Sequence, residues 1–178
     1  MDPSTQATAP PQSPSALAGI AASSLWPSRA SDYRFAPSAD LRRDFSISNI
    51  EVERCVSECA VLRAAGACLF VKDVYPDTFA LAFLAALPKH LEVAFADCPV
   101  PEPRAAIFDA LQRYVSLADA GDSKALHQLY LERVYGDSPN FVKLAVGGIG
   151  QVADELIKLG IEQFSIVASE LRVISNAG

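Results

Sequence analysis

The chain has 178 residues, of which 51% are hydrophobic, and its formal net charge is −6 at pH 7. This apolar content excludes a wholly disordered protein, and the length suits one domain with a tail. The acidic balance argues against binding of nucleic acid, which needs clustered Lys and Arg to neutralise phosphates. Because no uncharged apolar run reaches about 18 residues, we expect no transmembrane segment.

Residues 1–30 form a first region that is rich in Pro, Ser and Ala. Prolines exclude a long helix before residue 14, whereas residues 15–26 have the apolar spacing of a short helix. We therefore predict a flexible N-terminal segment over residues 1–30, in which a short helix can form, and one helical domain over residues 31–178.

Helical periodicity begins near residue 48. Ser48 and Glu51 have the spacing of a capping box, and apolar side chains then recur at intervals of three and four. Residues 78–87 lack a polar face, which predicts a helix that is buried on most sides. Pro88 is expected to end or kink that helix.

The second half of the chain repeats these helix signals. Pro103 suits the first turn of a helix, and Ser138 and Pro139 have the form of another helix start. Residues 120–123 predict a turn between helices, and Gly160 predicts a break or a tight corner. Since no segment shows the alternation of a strand, the predicted fold class is all-α.

Four cysteines lie at positions 55, 59, 68 and 98, and no CxxC pair is present. Cys55 and Cys59 are four residues apart, which places both on one helix face. A buried apolar stripe explains them better than a metal site, because a free Cys behaves as a small hydrophobic residue. His90 and His127 are the only histidines, so no metal site is predicted.

Two central segments carry the pattern of a known family. The sequence RYVS at 113–116, followed by AGDS at 120–123, resembles the RYV(S/T)YA…AGD(S/T) signature of the phycobiliprotein subunits of light-harvesting antennae. Residues 33–41, 131–135 and 139–148 are similar to other stretches of that family. The resemblance implies a globin-like, phycobiliprotein-type helical domain with an N-terminal helical extension.

The same resemblance implies partners and interface residues. In the family the Arg of RYV and an Asp ahead of the residue 33–41 stretch help to lock two subunits together. Asp32, Arg113 and Tyr114 are therefore the expected interface residues, with phycobiliprotein subunits or linker proteins as partners in a hetero-oligomer. The implied location is thylakoid-associated, on the cytoplasmic side in a cyanobacterium or in the plastid stroma of an alga.

The family binds a pigment through residues that are changed here. Its members attach an open-chain tetrapyrrole, a bilin, to a Cys that is closely followed by an Arg and an Asp. The corresponding positions are Arg104, Ala106 and Ile107, and a thioether cannot form without a thiol. We therefore expect no cofactor at this site. Cys98, six residues before Arg104, is a weak candidate for bilin attachment at a displaced position.

The sequence thus predicts a non-pigmented structural or linker-type subunit of a phycobilisome or a related light-harvesting assembly. No nucleophile–base arrangement is visible, so an enzyme is not expected. Two alternatives stay open. One is a globin-like sensor or adaptor domain, with Tyr130 or His127 as a haem ligand, and the other is a helical self-assembling scaffold or coat protein.

Overall fold

The computed structural model describes residues 12–25, 32–98 and 101–171. Within these ranges the chain is all-α and contains no strand, which confirms the predicted fold class. The described residues form eight α-helices, and two short 3-10 helices lie at Tyr33–Phe35 and Ile149–Gln151. The α-helices are α1 (Pro14–Leu25), α2 (Ala39–Asp44), α3 (Asn49–Val74), α4 (Asp77–Phe95), α5 (Arg104–Asp119), α6 (Ser123–Tyr135), α7 (Phe141–Val146) and α8 (Val152–Ser169).

Helix α1 lies within the N-terminal segment predicted to be flexible. Its side chains Leu17, Ala18 and Ala21 are fully buried, and the helix packs mainly against α4. Helix α1 therefore shares one hydrophobic core with the helices that follow residue 31. The remainder of that segment, residues 1–11 and 26–31, lies outside the described residues.

Helix α3 is the central element of the fold. The predicted capping box at its start is confirmed, because Ser48 Oγ accepts from the backbone N–H of Glu51 and the Glu51 carboxylate accepts from that of Ser48. The helix continues through Gly66 to Val74. It contacts α4, α5, α6 and α8, and its most extensive contact is with α8.

Two glycines let α3 and α8 approach backbone to backbone. A Cβ added to Gly66 would lie 2.2 Å from the carbonyl oxygen of Ile157, and one added to Gly160 would lie 2.1 Å from that of Arg63. The prediction of a break at Gly160 was wrong, since α8 runs through it without interruption. This glycine serves a close helix crossing and not a corner.

Helix α4 differs from its prediction in its burial. It passes through Pro88, where an end or a kink was expected, and continues to Phe95. Only about a third of its apolar stretch is buried. The core side is made by Phe79, Phe83 and Leu87 together with later residues at the same spacing of four. The prediction of burial on most sides was wrong, because the opposite side of the helix is apolar and exposed.

Local capping fixes the starts of the shorter helices. Pro103 precedes α5 as its N-cap. The Asp122 carboxylate caps α6 by accepting from the N–H of Ala125, after a turn in which Gly121 has a φ of 68°. Helix α7 begins at Phe141 and not at Pro139 as predicted, since Ser138 Oγ accepts from the N–H of Asn140 in the preceding turn.

Candidate functional site

The positions that correspond to the family's bilin site lie in the first turn of α5. Arg104 is exposed, and its guanidinium forms two hydrogen bonds to the carboxylate of Glu92 on α4, at 2.7 and 3.0 Å. The hydrogen bond from Arg104 holds the pKa of Glu92 below its usual range. Ile107 is fully buried in the core, and Ala106 offers no polar group. This turn therefore joins α4 and α5 by an ion pair.

The Cys98 thiol, the candidate for a displaced bilin, is buried. Only 7% of the residue is exposed, and its Sγ accepts a hydrogen bond from Ser57 Oγ on α3 at 3.7 Å. Attachment of a bulky pigment to this thiol would require displacement of the segment after α4 from α3.

Arg113 lies on the surface at the middle of α5 and is 52% exposed. Its guanidinium is 3.9 Å from the Asp109 carboxylate one turn earlier, a distance that leaves the cation largely solvated. It does not pair with Asp32 within the chain. Arg113 also lines a cleft of about 450 Å³ between α5 and α6.

Tyr114 points in the opposite direction and belongs to a buried polar cluster. Its hydroxyl donates to Glu58 on α3 at 2.5 Å. Arg133 on α6 donates to the same carboxylate oxygen at 2.6 Å and also to Glu102 before α5, at 2.8 and 3.0 Å. The buried polar cluster, formed by Glu58, Tyr114, Arg133 and Glu102, therefore ties three helices and one connection together.

Burial sets the protonation behaviour of this cluster. It raises the pKa of Glu58, against the charge and the hydrogen bond of Arg133 and the hydrogen bond of Tyr114, which lower it. Burial opposes the charged form of Arg133, but the charges of Glu58 and Glu102 outweigh it, so the pKa of Arg133 is raised. The shift of Glu58 is typical of a carboxyl group removed from water, and the shift of Arg133 is typical of a cation beside carboxylates.

Asp32, the second expected interface residue, forms a buried ion pair within the chain. Its carboxylate oxygens lie 2.6 and 2.8 Å from Nη2 of Arg63 on α3, and both residues are almost completely buried. Burial lowers the pKa of Arg63, against the charge of Asp32, which raises it. The three expected interface residues thus lie at three separate places, and their role between subunits stays a prediction.

The two candidate haem ligands are engaged with neighbouring side chains. The Tyr130 hydroxyl is buried 3.2 Å from Cys55 Sγ, and its ring packs edge-on against Tyr135. His127 Nε2 contacts the carboxylate of Asp154 at the start of α8. Among the described residues, no group of three or more His, Cys, Asp or Glu side chains is placed to hold a metal ion.

A second cleft, of about 620 Å³, lies between α3, α4 and α5. Its floor is apolar, and its rim carries Lys72, Asp77 and Asp119. The ammonium of Lys72 donates to Asp119 at 2.6 Å. That hydrogen bond, followed by the charges of Asp119, Asp73 and Asp77, raises the pKa of Lys72. We refer to this site as the α4–α5 cleft.

Next to this cleft, α4 presents an apolar strip to solvent. Exposed positions recur through the helix, with Leu81 66% and Val93 72% exposed and Ala82, Ala85 and Lys89 between them. At about 100° per residue these five positions lie within an arc of about 120°. We call them the α4 outward face. Lys89 is its one charged member, and Glu92, whose carboxylate is bound to Arg104, lies within the same arc.

Helix α4 is also the one helix of the described chain that is long and apolar enough to cross a membrane, with a mean hydropathy of 1.3. Length and composition alone carry little weight here, because the core helix of a globular protein passes the same test. Its contacts with α1, α3 and α5 are those of a packed helix. The expectation of no transmembrane segment stays a prediction.

Sequence reasoning did not find the α4 outward face or the α4–α5 cleft. The uniformly apolar composition of residues 78–87 indicated burial on most sides. The difference between the buried and the exposed side of the helix was therefore not predicted. A usable signal was present, because large side chains repeat every four residues at Phe79, Phe83 and Leu87, whereas alanines and Lys89 occupy much of the opposite side.

No model of a protein family matches the chain, and no curated protein or solved structure matches it significantly.

Proposed function

We propose that this chain is a non-pigmented structural or linker-type subunit, with a globin-like fold of the phycobiliprotein type, in a phycobilisome or a related light-harvesting assembly. The RYVS and AGDS segments at 113–116 and 120–123 support the family relationship. Helix α1, which packs on α4 ahead of the main helices, would be the N-terminal helical extension.

The observation that carries a role in assembly is the α4 outward face. Leu81 and Val93 are two thirds or more exposed, and 12 residues of helix place them about 18 Å apart. Exposure of an apolar strip of this length to water is unfavourable. Exposed apolar patches of this kind mark protein interaction sites. Arg113 on the neighbouring helix α5 adds an exposed cation that can orient a partner.

Two features support the absence of a pigment. The position of the attachment Cys is occupied by Arg104, whose guanidinium is bound to Glu92, and Ile107 occupies the position of a polar anchor. The Cys98 thiol is enclosed against α3. The partners are then pigment-bearing subunits or linker proteins in a hetero-oligomer, at the stromal or cytoplasmic side of a thylakoid.

Absorption spectroscopy tests the pigment-free part of the proposal. The purified natural protein is expected to show no absorption band in the visible region. A visible band, with colour that stays on the chain in a denaturing gel, would contradict this part.

Capture of pigmented subunits tests the assembly part. The full chain, immobilised on a resin, is expected to retain pigmented αβ subunits from dissociated phycobilisomes. Replacement of Leu81 and Val93 by Ser is expected to abolish retention. Replacement of Val142 and Val146, which are at least as exposed but lie on α7, is the matched control and should leave retention intact. Equal retention by both variants would exclude the α4 outward face.

The haem-binding alternative has less support. His127 is held by Asp154, and Tyr130 packs against Cys55 and Tyr135, so a haem ligand at either position would have to leave these contacts. A Soret band on reconstitution with haem would favour it. A self-assembling coat would use the same apolar face, and electron microscopy of the isolated protein distinguishes it by filaments or shells.

A further inference from the structure

The α4–α5 cleft has the dimensions of a groove for a short helix. It is lined by Asp77, Leu81 and Leu84 along α4 and by Gln112, Ser116 and Asp119 along α5. From Asp77 to Leu84, and from Gln112 to Asp119, each helix rises about 10 Å, which equals about two turns of an α-helix laid alongside them. Its volume of about 620 Å³ is within the range of volumes found for ligand-binding sites.

The floor of the cleft is suited to apolar anchors. Ala80, Leu84 and Val115 are partly buried and pack on the core, and Cys68 lies beneath them with 5% exposure. Leu81 lies at the edge and connects the cleft to the α4 outward face.

The rim of the cleft selects the charge of its occupant. The charged residues that line the cleft are Lys72, Asp77 and Asp119, and the ammonium of Lys72 is paired with Asp119. Two carboxylates against one ammonium leave a local charge of −1. The whole chain is also acidic, at −6, so a second copy would be repelled, whereas a cationic segment would be attracted.

We propose that the α4–α5 cleft binds a basic amphipathic helix of a partner protein, with two apolar side chains about one turn apart on the floor and Lys or Arg at the acidic rim. The inference rests on the proposed function in one respect, which is that the chain acts through a protein partner. It adds the chemical class of the segment that is recognised.

Fluorescence anisotropy with a labelled synthetic peptide tests this inference. The peptide is about 14 residues long, so that it can form a helix, with two Leu four positions apart and two flanking Lys. Saturable binding to the full chain is expected, weakened by NaCl. A peptide with Glu in place of Lys, and one with Ser in place of Leu, are expected not to bind. Equal binding of the Glu peptide, or no saturable binding of the Lys peptide, would overturn the proposal.

Two protein variants test the charge of the rim. Asp77→Asn removes a carboxylate from the first turn of α4, and Glu155→Gln removes one from the first turn of α8. We expect Asp77→Asn to weaken peptide binding about two- to fivefold and Glu155→Gln to leave it unchanged. Equal weakening by both would mean that only the overall charge of the chain matters, which would contradict a specific cleft.

Two further variants test the floor and the edge. Ala80→Trp fills the cleft and is expected to weaken binding at least about tenfold. Because this variant can disturb packing, Leu81→Ser, at an exposed position, provides a second test, with Val142→Ser on α7 as its control. Unchanged binding by Leu81→Ser would overturn the proposal.

The peptide assay and the capture of pigmented subunits have independent outcomes, so together they distinguish the cleft inference from the proposed function. Peptide binding without capture of phycobiliproteins would leave the cleft inference standing and remove the proposed function. Capture of phycobiliproteins without peptide binding would leave the proposed function standing and overturn the cleft inference. Concentration-dependent self-association that the peptide displaces, seen by sedimentation, would assign the cleft to a second copy and overturn the basic partner.

Discussion

Gly66 on α3 and Gly160 on α8 lie backbone against backbone, so that a Cβ on Gly66 would be 3.1 Å from the carbonyl carbon of Gly160. The nearest obstacles on both sides are backbone atoms, which cannot rotate away as the end of a side chain can. The most extensive helix contact of the core, that of α3 with α8, therefore depends on the absence of two methyl groups.

We predict that Gly66→Ala and Gly160→Ala each lower the free energy of unfolding by about 2–3 kcal/mol, because the helices must separate to admit the methyl group. Urea unfolding followed by circular dichroism measures this. Gly147→Ala is the control, since a Cβ there meets its nearest atom at 3.4 Å, and it should change stability by less than about 1 kcal/mol. Equal effects at all three positions would contradict the close crossing.

The ion pair of Asp32 with Arg63 gives a second prediction. Both side chains are about 98% buried, and removal of one partner leaves the other charge out of water. Arg63→Met is expected to lower the free energy of unfolding by about 3–5 kcal/mol. Arg43→Met removes an exposed pair with Asp40 and should cost less than about 0.5 kcal/mol.

This measurement also separates two roles for Asp32. A pair within one chain gives a loss of stability that is independent of protein concentration. If the loss instead depends on concentration, Asp32 acts at a subunit interface.

Glu58 gives a prediction about pH. Its pKa is raised by burial above 4.5, so the folded protein holds a proton that the unfolded chain has already released. The contribution of this carboxyl to stability is therefore full below about pH 4.5 and is lost as pH rises through its folded pKa. We expect the difference in unfolding free energy between the natural protein and Glu58→Gln to shrink as pH rises from about 4.5.

Glu92 is the control, because its pKa is shifted in the opposite direction to that of Glu58. Its pKa is lowered by the hydrogen bond from Arg104, so its contribution is present above about pH 4.5 and is lost as pH falls through its folded pKa. Urea titrations of Glu58→Gln and Glu92→Gln across this range should give slopes of opposite sign. The same slope for both variants would contradict the assigned cause of the Glu58 shift.

The cysteines give a prediction about reactivity. Cys55, Cys59, Cys68 and Cys98 are all buried in the fold, and attack by a reagent requires a local opening. Native thiols should react with Ellman's reagent at least about a hundredfold more slowly than thiols in urea. Ala85→Cys, on the α4 outward face, should add one thiol that reacts rapidly. A rapidly reacting Cys98 in the natural protein would show that this thiol is accessible, and would support bilin attachment at the displaced position.

Short-range signals in the sequence were sufficient for the class of the fold and for several local features. The capping box of Ser48 and Glu51 depends on residues three apart, and the buried stripe of Cys55 and Cys59 on residues four apart. Both follow from helical geometry alone. The helices themselves were predictable for the same reason.

The buried ion pairs could not be predicted in this way. Arg63 lies 31 residues from Asp32, and Arg133 lies 75 residues from Glu58. Nothing in the spacing of these residues distinguishes them from exposed charges until the helices are packed. Arg133 and Glu58 are brought together only where α3, α5 and α6 meet.

The sidedness of α4 was missed for another reason. A helix that is apolar all round is ordinarily buried all round, and the sequence of residues 78–87 fits that rule. The structure places α1 on part of its circumference and leaves Leu81 and Val93 in solvent. The proposed contact with a partner rests on this exposed apolar side.

Sedimentation velocity of pigmented phycobiliprotein αβ subunits, recorded at their visible absorbance, tests the central claim most directly. Addition of the full chain is expected to make the pigment sediment faster, and addition of the chain with Leu81→Ser and Val93→Ser is expected to leave its sedimentation unchanged. Pigment that sediments alike with and without the natural chain would contradict a role for this protein as an assembly subunit.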